Sequence, residues 1–290
     1  MENIYNEHYT GERALFNVKD LSITDTLFDD GESPLKESKN LRIIHCTFGW
    51  KYPLWYDEDV VVNNSTWNDK ARAGVWYTKN IKVINCQIDG PKNFRKSKGI
   101  DIQNTDFSNA LETLWNCEDV HLESVTVKNG PYFGMNLVNG KINSLDLEGN
   151  YAFDGAKNLL ITNSTLMSKD AFWNSENITC INCKIIGEYF AWNSKNLTLI
   201  DCEIDSLQGF CYIDQLKLIN CKLMDTSLSF EYCTNIDADV NSRIKSVKNP
   251  TSGVIRSLGI DELILDENQA EPNNVQFIDK NEEYQYKYEI

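Results

Sequence analysis

The chain has 290 residues, and its 28 Lys and Arg against 43 Asp and Glu give a net charge of -15. That balance argues against nucleic acid or an anionic membrane as the main partner. No apolar run reaches transmembrane length, and Met1-Glu-Asn-Ile-Tyr-Asn-Glu-His8 has neither the basic start nor the apolar core of a signal peptide, so a cytoplasmic chain is expected.

Residues 1–17 precede any repeat and are expected to cap an open end. From Asp20 a nine-residue phrase recurs every 19 to 21 residues, with clear copies at Asn40, Asn80, Asn177 and Asn196. Weaker copies start at Asp20, Asp59, Gly99, Asp119, Asn139, Asn158, Gln215 and Asn235. A fixed period of that size marks a solenoid, whose repeats bury apolar faces only by stacking on one another. Within the phrase the second and fourth residues are apolar, as in Leu41 and Ile43 or Ile81 and Val83, which is the alternation of a half-buried strand. The sixth is usually Asn or Asp (Asp25, Asn64, Asn85, Asn182, Asp201), residues that tolerate the left-handed region, so a bend is expected there. After Asn241 the period fails. Val254-Ile-Arg256 and Leu263-Ile-Leu265 fit one last irregular coil, and the acidic, Tyr-rich stretch to Ile290 fits a covering tail.

Short strands in coils of about twenty residues close into a parallel β-helix, each coil rising by about 4.8 Å. A leucine-rich horseshoe is excluded because the second half of each coil lacks a helical apolar period. The crossover rule makes the winding right-handed. The expected architecture is one all-β domain of about twelve coils: cap 1–17, regular coils 18–241, irregular coil and tail 242–290.

Cys46, Cys86, Cys183, Cys202 and Cys221 share one repeat position with Thr26, Ser65, Thr105 and Ser164, which reads as an inward ladder of small side chains. Parallel stacking suits disulfide geometry poorly, so all nine cysteines are expected to be free thiols. Cys180-Ile-Asn-Cys183 lies inside the repeat and is a weak metal signal. The three histidines are scattered, and neither a metal centre nor a cofactor is expected.

Five residues before each phrase the chain is apolar (Leu54, Val75, Phe94, Leu114, Phe153, Phe172), and the following residue is then expected to face outward. That column holds Trp55, Trp76, Trp115, Trp173 and Trp192, five of the seven tryptophans. An exposed aromatic row suits a sugar chain, whose rings present flat apolar faces. Asp154 interrupts the row between Met135 and Trp173. With Asp170 or Glu112 as partner, and Arg95 or Lys169 stabilising negative charge, it would supply the two carboxylates of glycoside cleavage. The competing readings are a lone turn aspartate, and an aromatic row that is a protein interface or lies under a capping segment. Whether the chain is an enzyme stays open, as does its oligomeric state.

Segments such as Trp50-Lys-Tyr-Pro-Leu-Trp55, Ala71-Arg-Ala-Gly-Val-Trp76, Ser168-Lys-Asp-Ala-Phe-Trp173 and Glu188-Tyr-Phe-Ala-Trp192 resemble an uncharacterised bacterial family of unknown function with the pectin-lyase-like right-handed β-helix fold. The resemblance covers nearly the whole chain and implies that fold and no established activity. Characterised proteins of the fold cleave or bind acidic polysaccharides. The clustered Asp pair plus His of the polygalacturonases is missing here, as is the calcium-binding Asp set of the lyases. No catalytic residue is therefore carried over.

Overall fold

The computed structural model describes residues 1–266 and 274–281, and every named element among them is a β-strand. The chain is a right-handed parallel β-helix of about fourteen turns. Its period is set by corners in the left-handed region. In the coil that begins at Lys39 they fall at Asn40, His45, Tyr52 and Tyr56, with φ of 55°, 52°, 65° and 62°. Asn and Asp dominate the first two corners because their short polar side chains lower the cost of that conformation. They also bond along the stack: Asn80 Nδ2 donates to Asp59 Oδ1 at 3.0 Å, and Asn196 Nδ2 to Asn177 Oδ1 at 2.8 Å.

The chain forms two compact units, Met1–Ala152 and Phe153–Ile290. In the first, strands Lys19–Thr24, Lys39–Ile44, Glu58–Asn63 and Lys79–Ile84 pair in parallel, with Leu21 on Leu41, Leu41 on Val60 and Val60 on Ile81. All four residues are buried, and removal from water stabilises each by about 2 kcal/mol. The ninth residue of the phrase builds an aromatic core ladder, with Phe28–Phe48 and Phe48–Trp67 centroids 5.4 and 4.8 Å apart. The seventh residue builds a small polar ladder. There the Cys46 N–H donates to Ser65 Oγ at 3.0 Å, and Ser65 Oγ donates to Asn63 O at 2.9 Å, so corner amides are satisfied without water.

Residues 1–17 are not a covering cap. Glu2–Tyr5 pairs with Leu21–Thr24 and His8–Tyr9 with Leu27–Phe28, which makes this segment the first coil. It escaped the repeat because Glu2 stands opposite Leu21, where later coils carry an apolar residue.

In the second unit Leu159, Ile178, Leu197, Leu216 and Ile236 form one buried row, and Cys183, Cys202 and Cys221 another. Phe153, Phe172, Phe190, Phe210 and Phe230 follow one another through the core at 5.4 to 5.8 Å, stacked at Phe153–Phe172 and Phe210–Phe230 and edge-to-face on either side of Phe190. Coiling continues past Asn241. Gly253–Ser257 pairs with the strand Thr234–Val240, Val275–Asp279 pairs with Gly253–Ser257, and Val247–Lys248 pairs with Leu263–Ile264. That continuation raises the turn count above the twelve expected. Gly253 sits at φ 122°, and a Cβ there would lie 2.1 Å from Ile236 O, so this rung admits only glycine. The expected covering tail falls on residues 267–273 and 282–290, outside the described residues, and on Val275–Asp279, which is a coil strand.

All nine cysteines are buried free thiols. Burial pushes the Cys86 thiol up to about 11 and the Cys117 thiol up to about 12, against weaker backbone hydrogen bonds that pull the other way. The native protein should therefore leave its thiols nearly unreactive to a thiolate-specific reagent at pH 8, whereas denaturation without reductant should release nine. Fewer than nine would reveal a disulfide.

Candidate aromatic binding face

In the first unit Leu54, Val75, Phe94 and Leu114 are buried, and Trp55, Trp76, Arg95 and Trp115 after them form a half-exposed outward row. Strand register stacks this row: Trp55 on Trp76, Trp76 on Arg95, Arg95 on Trp115. The Trp55 and Trp76 rings lie face to face at 4.9 Å with 6° between planes. The Arg95 guanidinium carbon lies 5.2 Å from the Trp76 ring centre and 4.3 Å from that of Trp115, a cation held between two π-faces. Each indole N–H donates to a carbonyl of the next coil: Trp55 to Ala73 at 2.6 Å, Trp76 to Lys92 at 2.9 Å, Trp115 to Tyr132 at 2.7 Å. Faces and donors are thus largely committed within the protein, and solvent meets mainly ring edges. The residue after each Trp is itself a left-handed corner, and Tyr56 and Tyr77 stack there at 4.7 Å.

Arg95 is hydrogen-bonded to the Glu112 carboxylate, which also meets Lys92 Nζ at 3.1 Å. Partial burial alone would raise the Glu112 carboxyl, but the bonds from Lys92 and Arg95 outweigh it and hold the group below its ordinary range. A general acid at neutral pH needs the opposite shift. Glu112 therefore serves here as an ion-pair partner for the stacked guanidinium.

The second unit opens differently. Trp173 follows the same pattern as the first unit, its indole N–H donating to Tyr189 O at 2.9 Å. Trp192 does not. It is 36% exposed, tilted 57° from Trp173 at 5.5 Å, and its N–H has no partner among the described residues. Tyr212, 47% exposed, stacks on Trp192 at 5.9 Å, and Tyr232 stacks on Tyr212 at 5.2 Å.

The carboxylates do not converge on this stack. Asp154 is half-exposed and accepts from Asn174 Nδ2 at 3.1 Å at the foot of an amide ladder that runs on to Asn193. Asp170 is 2% exposed, so the two aspartates share no open face. Lys169 pairs with Glu188 at 3.2 Å on the surface. A cluster that the sequence did not single out lies further along the column. Glu231 meets Lys248 Nζ at 2.8 Å and accepts from Gln208 Nε2 and, at 3.8 Å, from Cys211 Sγ. Burial first, then the charge of Glu231, pushes the Cys211 thiol up to about 12, which leaves it a thiol and not a nucleophile. The spacing of Cys211 and Glu231 was a usable signal, but Lys248 lies where the period fails. Among the described residues no group of three His, Cys, Asp or Glu is placed to hold a metal ion.

Fold and site together define a parallel β-solenoid protein with a row of aromatic rings on the outer wall of each unit. Within that class the chain belongs to the family described as protein of unknown function (DUF3737), whose model matches residues 2–278. No curated protein matches it by sequence. Among solved structures it is similar to the mannuronan C-5 epimerase AlgE4 A-module of Azotobacter vinelandii, at 9% identity and a TM-score of 0.38, over 94% of this chain and 88% of that one. It is also similar to PfbA, a surface adhesin of Streptococcus pneumoniae, at 11% identity and a TM-score of 0.31, over 86% of this chain and 68% of that one. At these identities no side-chain role is carried over.

If the guanidinium plane between Trp76 and Trp115 matters, Arg95→Lys keeps the charge but loses the stacking, at a cost of about 1 kcal/mol in chemical denaturation. A lysine variant as stable as the parent would show that charge alone holds this rung.

Proposed function

We propose that the protein is a β-solenoid scaffold that binds an oligosaccharide or glycoconjugate at Trp192 in the aromatic row of its second unit, without cleaving it. The observation that carries this reading is the contrast between Trp192 and the other four tryptophans. Their indole N–H groups are bonded to neighbouring coils, whereas the Trp192 N–H has no partner among the described residues and its tilt from Trp173 leaves that side without a parallel ring. An exposed ring whose N–H has no partner among the described residues, beside the exposed Tyr212, offers a sugar both apolar surface and hydrogen-bonding groups. Cleavage is left out because Glu112 and Glu231 are tied into ion pairs and Asp170 is withdrawn from solvent.

A protein interface at the same patch is the second reading, favoured because among the described residues no polar side chain is hydrogen-bonded to the Trp192 ring. Glycan-array binding followed by intrinsic fluorescence titration separates the two. Trp192→Ala should weaken binding of any glycan hit more than tenfold while shifting Tm by no more than about 2 °C, as for an exposed side chain. Trp76→Ala should do the reverse, losing stability and keeping affinity. A protein that binds no glycan, or whose affinity survives Trp192→Ala, ends the carbohydrate reading.

A further inference from the structure

One buried carboxyl in the first unit has no use in the binding face and sits in a position whose chemistry is otherwise uniform. Two residues beyond the aromatic column runs an inward ladder of Ser38, Asp57, Thr78, Ser97 and Cys117. Each member accepts from the main-chain N–H of the rung below: Val18 N–H to Ser38 Oγ at 3.2 Å, Ser38 N–H to Asp57 Oδ1 at 2.7 Å, Asp57 N–H to Thr78 Oγ1 at 3.4 Å, Thr78 N–H to Ser97 Oγ at 3.1 Å. The hydroxyl and thiol members also donate to a carbonyl. Thr78 Oγ1 donates to Leu54 O at 3.0 Å, Ser97 Oγ to Arg95 O at 3.0 Å, and Cys117 Sγ to Phe94 O at 3.0 Å. The second unit repeats the device, with Ser194 Oγ donating to Phe172 O at 2.6 Å and Cys233 Sγ to Phe210 O at 3.1 Å. The rung therefore requires a group that both accepts and donates.

Asp57 meets that requirement in one protonation state only. The residue is 1% exposed, Oδ1 takes the Ser38 N–H, and among the described residues no donor reaches Oδ2. We propose that Asp57 is a proton-locked rung: it carries a proton on Oδ2 in the folded protein, donates it to the carbonyls its neighbours use, and loosens this coil of the first unit when it ionises. By the ladder's repeat those carbonyls are Leu35 and Trp55.

The charged groups around it do not offset an anion there. Below lie Lys36, Glu37 and Lys39, on its own coil Glu58 and Asp59, and above it Lys79. Lys39 is occupied by Glu58 at 3.1 Å and Asp59 at 3.8 Å, and Lys36 faces Glu37 at 3.7 Å. Burial pushes the carboxyl up to about 8, the Ser38 hydrogen bond opposes this, and the charge of Glu37 adds to it. An acid raised in the folded state contributes stability that is complete below its unfolded value near 4 and is lost as pH rises towards about 8. A hydroxyl or amide at this rung would not lose it.

The test compares wild type with Asp57→Asn and Asp57→Ser by chemical denaturation from pH 5 to 9. The ratio of variant to wild-type folding constants should rise by up to about tenfold per pH unit between pH 5 and 7, then level off above about 8. A ratio independent of pH overturns the proposal. The second measurement needs no variant. The infrared spectrum of folded wild-type protein at pH 6.5 should show a protonated carboxylic C=O band that is lost on unfolding, and its absence also overturns the proposal.

Discussion

Everything in this protein follows from coils stacking in parallel register one strand spacing apart. At about 4.8 Å each side chain has as its nearest neighbours the residues one period earlier and later, so a rung is stable only when its neighbours suit it. Like therefore stacks on like. Leu41 lies on Leu21, Phe48 on Phe28 and Asn196 on Asn177, and the corners line up because a shifted φ > 0 position would break pairing on both sides. Aliphatic, aromatic, amide and thiol rows are all products of this one constraint.

The same constraint gives charges and rings a partner along the stack before any ligand arrives. Lys98 meets both Glu118 and Asp119, and Arg95 joins Glu112 while lying between two indoles. Exposed ion pairs of this kind contribute little to stability. They do remove free charge from these rungs, although a net charge of -15 leaves acidic residues in excess over their partners. Candidate chemistry must then be sought where a ladder is interrupted. Composition along a column is a weak guide to it.

The fold was legible because burial direction in a strand depends only on backbone parity. The second, fourth, seventh and ninth phrase residues were readable as inward from spacing alone, and Leu41, Ile43, Cys46 and Phe48 are buried. Coil limits were less legible at the ends, where one side of the stack is missing and the pattern relaxes. Glu2 stands where Leu21 stands a coil later, and beyond Asn241 coils continue on Gly253 and Val275 without the phrase. Outward-facing residues were harder still. Parity places Trp55 and Trp192 alike on the outer wall, but whether a face is free depends on χ angles and on which carbonyl the indole reaches. Asp57 was invisible for the opposite reason: an aspartate among hydroxyls at a corner reads as a solvated turn until its burial is known.

A stacked ladder and a sugar platform compete for the same ring faces. In Trp55 and Trp76 the competition is settled in favour of the protein, because a parallel partner at 4.9 Å leaves no room for a second apolar plate. Trp192 escapes through a change on its neighbours. On the rung that follows, Cys211, a small buried thiol, stands in the column and the corner residue Tyr212 stacks on Trp192 at 5.9 Å, while the Trp173 ring is tilted 57° from Trp192. The side of Trp192 without a parallel ring is therefore the one towards Trp173, where the planes meet at 57°. A break in the parallel stacking, rather than the row itself, creates the surface available to a ligand.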